Sequence, residues 1–220
     1  MDTNSLGEHT PMWRGAFLEA ADWFADSCQR AADSLDAPGL GDWSVRDLMG
    51  HTSRALSTVE SYLTDDTTEP VGVVSSVGYF ATALRTDPLQ IALRGREAGA
   101  ALGAEPAATV TELVTRVRER VVAATGLARV RTPFGTMVLA EYLPTRTFEL
   151  VVHTGDLLRA VGEAAVGPEL GTRSALRLAT DLGQHHGHGP ALLAYLTGRR
   201  AGIAGPFTVL EARRAEDVLT

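Results

Sequence analysis

A chain of 220 residues is long enough for one good hydrophobic core, or for one core with a small appendage. Its 45% hydrophobic and 21% charged residues suit a globular protein, and its net charge of −7 argues against the basic surface that nucleic-acid binding needs. Cys28 is the single cysteine, so no intrachain disulfide can form. Arginine supplies all 20 basic residues, so there is no lysine for Schiff-base or pyridoxal-phosphate chemistry.

The longest weakly polar run, Val71 to Leu84, contains Ser75 and Ser76 and is too short to span a bilayer. No basic, apolar-core segment opens the sequence, so the expectation is a cytoplasmic protein without a secretory signal or a membrane partner.

From Pro11 to about Ser34, Phe17, Ala20, Ala21, Phe24 and Ala31 recur at helical spacing, and Pro38-Gly39 closes that helix. Cys28 lies within it, where a free cysteine is usually buried and inert. A second helix starts at Ser44, a natural N-cap. Asp47 can answer it in a capping box, and Trp43 can staple onto Leu48. This helix runs to about Leu63 with Val45, Leu48, Leu56 and Val59 facing inward, and His51 stands at the edge of that face. Helical pattern continues over residues 75–102, interrupted at Asp87-Pro88, and over residues 107–125. Residues 126–137 read as a turn with brief extended character, the one β-like stretch. A long helix follows from about Val138 to Val161, then a smaller pair from Pro168 to about Gly183 and from Pro190 to Thr197.

The long helix near the end carries the unusual pattern. At ~100° per residue, Leu143, Leu150, Leu157 and Val161 form a core stripe. Along one edge of it, within an arc of about 80°, fall Tyr142, Arg146, Glu149, His153 and Asp156. Glu149 and His153 are four apart and share a face, so they can grip one metal ion. His51, on a similar polar ridge, is the candidate third ligand. Two histidines and a carboxylate suit zinc or non-haem iron and leave a position open, as catalytic sites do. Asp47 and Asp156 are placed to orient the two imidazoles from behind. The spacing alone favours an ordinary hydrogen-bonded Glu–His pair over a metal site. Arg146 can bind an anionic substrate or pair with Glu149. Tyr142 can donate a hydrogen bond to substrate or pack in the core. Arg199 can reach the site from the tail or stay in solvent. His185, His186 and His188 form a glycine-flanked loop that can bind stray metal without fixed geometry.

Trp43 to His51 reads W-S-x-x-D-L-x-x-H, and Arg146 to Leu157 reads R-x-x-E-x-x-x-H-x-x-D-L. Together with Arg131 to Met137 and Gly189 to Arg199, these segments resemble the mycothiol-dependent maleylpyruvate isomerase family, one branch of the DinB-like (YfiT-like) metal-binding four-helix bundles. The absence of lysine fits the GC-rich coding of an actinobacterial source. The resemblance implies an all-α, DinB-like four-helix bundle over residues 1–165 with extra connecting helices, and a short helical C-terminal extension over 166–220. It implies a divalent metal on His51, Glu149 and His153, with zinc first and iron or nickel as alternatives. Mycothiol would be the thiol cosubstrate, a small electrophile its partner, and no protein nucleophile is called for. The reaction would be S-transfer or cis–trans isomerisation. Transfer is slightly favoured because only about 55 residues follow the bundle, where the isomerase proper has a more developed C-terminal domain. Many relatives are dimers, so a homodimer is an open expectation. A non-catalytic metal sensor or partner-binding module on the same bundle is the alternative.

Overall fold

The computed structural model describes residues 11–64, 68, 70–73, 75–197 and 199. Its element boundaries follow the local capping chemistry. Helix α1 (Met12–Arg30) starts behind Pro11 and decays into a 3-10 turn at Ala32–Ser34. Helix α2 (Val45–Tyr62) opens on the expected capping box. The Asp47 N–H donates to Ser44 Oγ at 3.2 Å, and the Ser44 N–H donates to Asp47 Oδ2 at 3.1 Å. Ser75 caps α3 (Ser76–Ala83), and Asp87 caps α4 (Pro88–Ala101), which carries its proline in the first turn. Helices α5 (Pro106–Ala123), α6 (Leu139–Ala160), α7 (Glu169–His185) and α8 (Gly189–Leu196) complete the helical set. No helix among the described residues is long and apolar enough to cross a membrane.

The fold is all-α at its centre. Helices α1, α2, α5 and α6 form a four-helix bundle in which α1 and α2 each lie against both α5 and α6. Phe17, Phe24, Leu56, Val110, Leu143 and Leu150 fill the space between them, all fully buried. Helix α7 covers the outer side of α1 and α6 and adds Leu178 and Leu182 to the same core, with α8 resting on α7.

The stretch read as a turn is a true hairpin. Strand β2 (Arg129–Thr132) pairs antiparallel with β3 (Gly135–Val138), and β1 (Leu63–Thr64), at the end of α2, adds a third strand. Val130 opposes Met137, both fully buried, and Leu63 opposes Val130. Gly135, at φ +123°, turns the chain back. Thr132 steadies the tip, its Oγ donating to Gly135 O at 2.7 Å and accepting from the Phe134 N–H at 3.1 Å. The small sheet thus holds Phe134 out toward α3 and α4.

Helix α4 packs along α2 at a separation only glycine permits. A Cβ on Gly50 would lie 2.0 Å from Gly99 N, and one on Gly95 would lie 2.7 Å from the Trp43 ring. Trp43 uses that space: its indole N–H donates to Ala92 O at 3.2 Å and its ring lies on His51, centroids 4.5 Å apart. The indole thus ties α4 to the start of α2, a role the expected staple onto Leu48 did not anticipate.

Candidate metal centre and its cavity

Because α2 and α6 are neighbours in the bundle, the two polar ridges read from the sequence face each other. The donor atoms of His51, Glu149 and His153 lie within 4.8 Å of one another. Glu149 Oε2 is 3.2 Å from His153 Nε2 and 3.9 Å from His51 Nε2. Donors bound at ~2.0–2.1 Å to one tetrahedral ion stand ~3.3 Å apart, so the Glu149–His153 pair already has that spacing, and the widest pair must draw in by up to ~1.5 Å to fit a zinc-like ion. Among the described residues no other such group of three is found. The His185, His186 and His188 loop at the end of α7 forms none, although the His185 and His186 rings meet edge-on, centroids 5.2 Å apart.

The two imidazoles are held differently. His153 Nδ1 is 3.1 Å from Asp156 Oδ2, one turn further along α6, which leaves Nε2 free to face Glu149. Asp156 is itself paired with Arg159 at 2.5 Å. His51 Nδ1 is buried without a hydrogen-bond partner, and the Trp43 ring braces that imidazole instead. Asp47, expected to orient His51, does not: its carboxylate is taken up by the helix cap at Ser44. Three residues from Asp47 to the Ser44 N–H is the natural capping reach, and that contact wins the carboxylate.

The electrostatics follow from burial and from these contacts. Burial lowers the His51 pKa to about 4, helped by the nearby His153. For His153 burial acts in the same direction, but the Asp156 and Glu149 carboxylates outweigh it and raise the pKa to about 9. For Glu149 burial pushes upward, but the hydrogen bond and charge of His153, with Arg146 beyond, bring it down to about 2. At neutral pH and without a metal, the centre therefore holds a neutral His51, a Glu149 carboxylate and a protonated His153.

Beside the centre opens a cavity of about 600 Å³, with His51 and Glu149 in its lining. Arg146 also lines it and is only 8% exposed. Its guanidinium lies against two neighbouring tyrosine rings, 5.2 Å from the Tyr79 centroid and 5.1 Å from that of Tyr142, and its Nε donates to Thr145 Oγ1 at 3.0 Å. The i,i+3 ion pair with Glu149 weighed from the sequence does not form.

Tyr142 is fully buried and outside the cavity lining. Its hydroxyl donates to Thr58 Oγ1 at 2.9 Å, and burial raises the phenol pKa strongly. It supports Arg146 and does not meet a ligand in the cavity. Arg199 is also outside the lining: it turns back on the end of α8, its Nη1 donating to Thr197 O at 3.3 Å.

Several lining residues were not named as site candidates from the sequence. Arg54 and Thr58 had a signal, since they continue the His51 ridge at helical spacing. Tyr79, Phe80, Arg94 and Phe134 had none, because they arrive from α3, α4 and the hairpin tip, and only the packing brings them together.

A family model described as the mycothiol maleylpyruvate isomerase N-terminal domain matches residues 16–158, well over half of the chain. No curated protein and no solved structure matches. The matched span runs from α1 to the end of α6 and includes His51, Glu149 and His153. With both helical ridges inside the matched region, the chain belongs to the mycothiol maleylpyruvate isomerase N-terminal domain family.

Proposed function

We propose that this protein is a divalent-metal-dependent enzyme that activates a low-molecular-weight thiol, mycothiol first, for S-transfer to a small electrophile or for its cis–trans isomerisation. The ion, zinc first and iron or nickel next, would be held by His51, Glu149 and His153. When bound it supplies one thing: a coordinated thiol loses its proton and becomes a nucleophile at neutral pH.

The chain's own residues do the rest. Asp156 fixes the His153 ring with Nε2 toward Glu149, and the Trp43 indole keeps the His51 ring from turning. Arg146 is the candidate contact for an anionic part of the substrate. The observation that carries the reading is the cavity of about 600 Å³ lined by two of the three candidate ligands. Structural metal sites are closed by a fourth protein ligand, whereas catalytic sites keep a position open to substrate.

The test is metal analysis of the purified protein beside a His51→Ala, His153→Ala double variant, with mycothiol titrated into both. The expected result is about one zinc per parent chain, none in the variant, and thiol binding that requires the metal. A zinc-loaded parent that binds no thiol would overturn the thiol-enzyme reading and favour a metal-binding module.

A further inference from the structure

The cavity beside the candidate metal centre reverses the charge of the protein around it. The chain carries a net charge of −7, yet Arg54, Arg94 and Arg146 all line this cavity, against a single carboxylate, Glu149. Among the described residues, none of the three arginines has a carboxylate within 4.0 Å. The Arg94 Nε donates to Gln90 O at 3.0 Å and the Arg146 Nε to Thr145 Oγ1, which leaves their terminal nitrogens without a partner. A buried guanidinium normally has an anion beside it, because leaving it unpaired is costly. Arg146 is compensated by two tyrosine faces and, without an ion pair, by the more distant charge of Glu149, which stabilise the cation without taking up its terminal N–H groups. Those N–H groups form a fork whose geometry matches a carboxylate.

Beside the Arg146 fork the lining turns apolar, starting from the same Tyr79 ring that the guanidinium lies against. Tyr79 packs edge-on against Phe134 at 5.5 Å, and Phe80 packs against Phe148 behind it at 5.3 Å. Ile91 of α4 continues this wall, and Phe134 stands at its rim, 37% exposed. A sugar ring asks for hydroxyl acceptors and donors around it; this wall offers flat hydrocarbon.

From these two features we infer that the cavity is a subsite for a flat, aromatic-bodied monocarboxylate, its carboxylate on the Arg146 fork and its ring against Tyr79, Phe80 and Phe134. Calling this ligand the electrophilic substrate rests on the thiol-enzyme reading; the subsite itself does not.

The test uses three probes by calorimetry on the purified protein, zinc-loaded and EDTA-treated: trans-cinnamate, its neutral amide, and fumarate. Cinnamate is expected to bind at least about ten-fold more tightly than the amide in both preparations, because the charge-assisted contact is to arginine and not to the metal. Fumarate, which lacks the ring, is expected to bind more weakly than cinnamate. Arg146→Gln should abolish the acid-over-amide preference. Arg94→Gln, at a half-buried position on α4, should reduce it several-fold in a protein that melts like the parent. Equal binding of acid and amide, fumarate binding as tight as cinnamate, or a preference unchanged in both variants would overturn the subsite. The two readings fail separately. Acid preference without zinc-dependent thiol binding leaves the subsite standing and removes the thiol reading; thiol binding without acid preference does the reverse.

Discussion

The proton on His153 sets how metal binding must depend on pH. With its pKa raised to about 9, His153 is protonated at pH 7, donating to Asp156 and to Glu149. A metal can take Nε2 only by expelling that proton. His51, with its pKa lowered to about 4, is already neutral and costs nothing further. The apparent zinc affinity should therefore rise nearly tenfold per pH unit above pH 7 and begin to level off near pH 9, about 50-fold in all between pH 7 and pH 9, with about one proton released per ion at pH 7. An ordinary histidine with a pKa near ~6.5 would give an affinity that levels off above pH 7.

Competition against a chelator of known affinity measures the slope, and calorimetry in buffers of different ionisation enthalpy counts the proton. Asp156→Asn is the matching perturbation. The amide oxygen still accepts from Nδ1, but the charge that holds the proton is gone. The break in the curve should move to lower pH, and affinity at high pH should fall about 10–100-fold. A parent affinity flat between pH 7 and pH 9, with no proton released, would refute this account of the site. The sign for metal-free stability is also fixed. The raised His153 pKa contributes stability that is full below the ordinary histidine range and lost as pH rises toward 9. The lowered His51 pKa weakens the fold as pH falls from 6.5 toward 4.

Two further outcomes probe the framework around the site. Gly50→Ala would place a methyl 2.0 Å from Gly99 N, so α2 and α4 must part. Glycine to alanine within a helix ordinarily gains up to about 1 kcal/mol, whereas here a net loss of about 1–3 kcal/mol is expected, read as a melting temperature lower by several degrees; an unchanged or higher value would contradict the close crossing. Cys28 is fully buried, and burial raises its thiol pKa, so a thiol reagent should leave it untouched in the native protein and modify it on unfolding. Rapid modification under native conditions would show that the α1 core opens readily.

Much of this protein was legible from local sequence. The Ser44–Asp47 cap, the Asp87-Pro88 helix start and the Leu143, Leu150 and Leu157 stripe depend on neighbours a few residues away, and the structure has each as the spacing indicates. Glu149, His153 and Asp156 lie on one helix, so their mutual placement was fixed by the 3.6-residue turn. Tertiary structure decided what faces that ridge. The adjacency of α2 and α6 brought His51 to it. The competition for a single carboxylate gave Asp47 to the helix cap and left His51 to the Trp43 ring. The burial of Tyr142 made it a platform under Arg146. The aromatic wall and Arg94 come from segments 50 or more residues from Glu149 or set apart by a hairpin. No periodicity within one segment can report which distant faces will meet, because that choice is made by how the apolar surfaces of the whole chain are buried together.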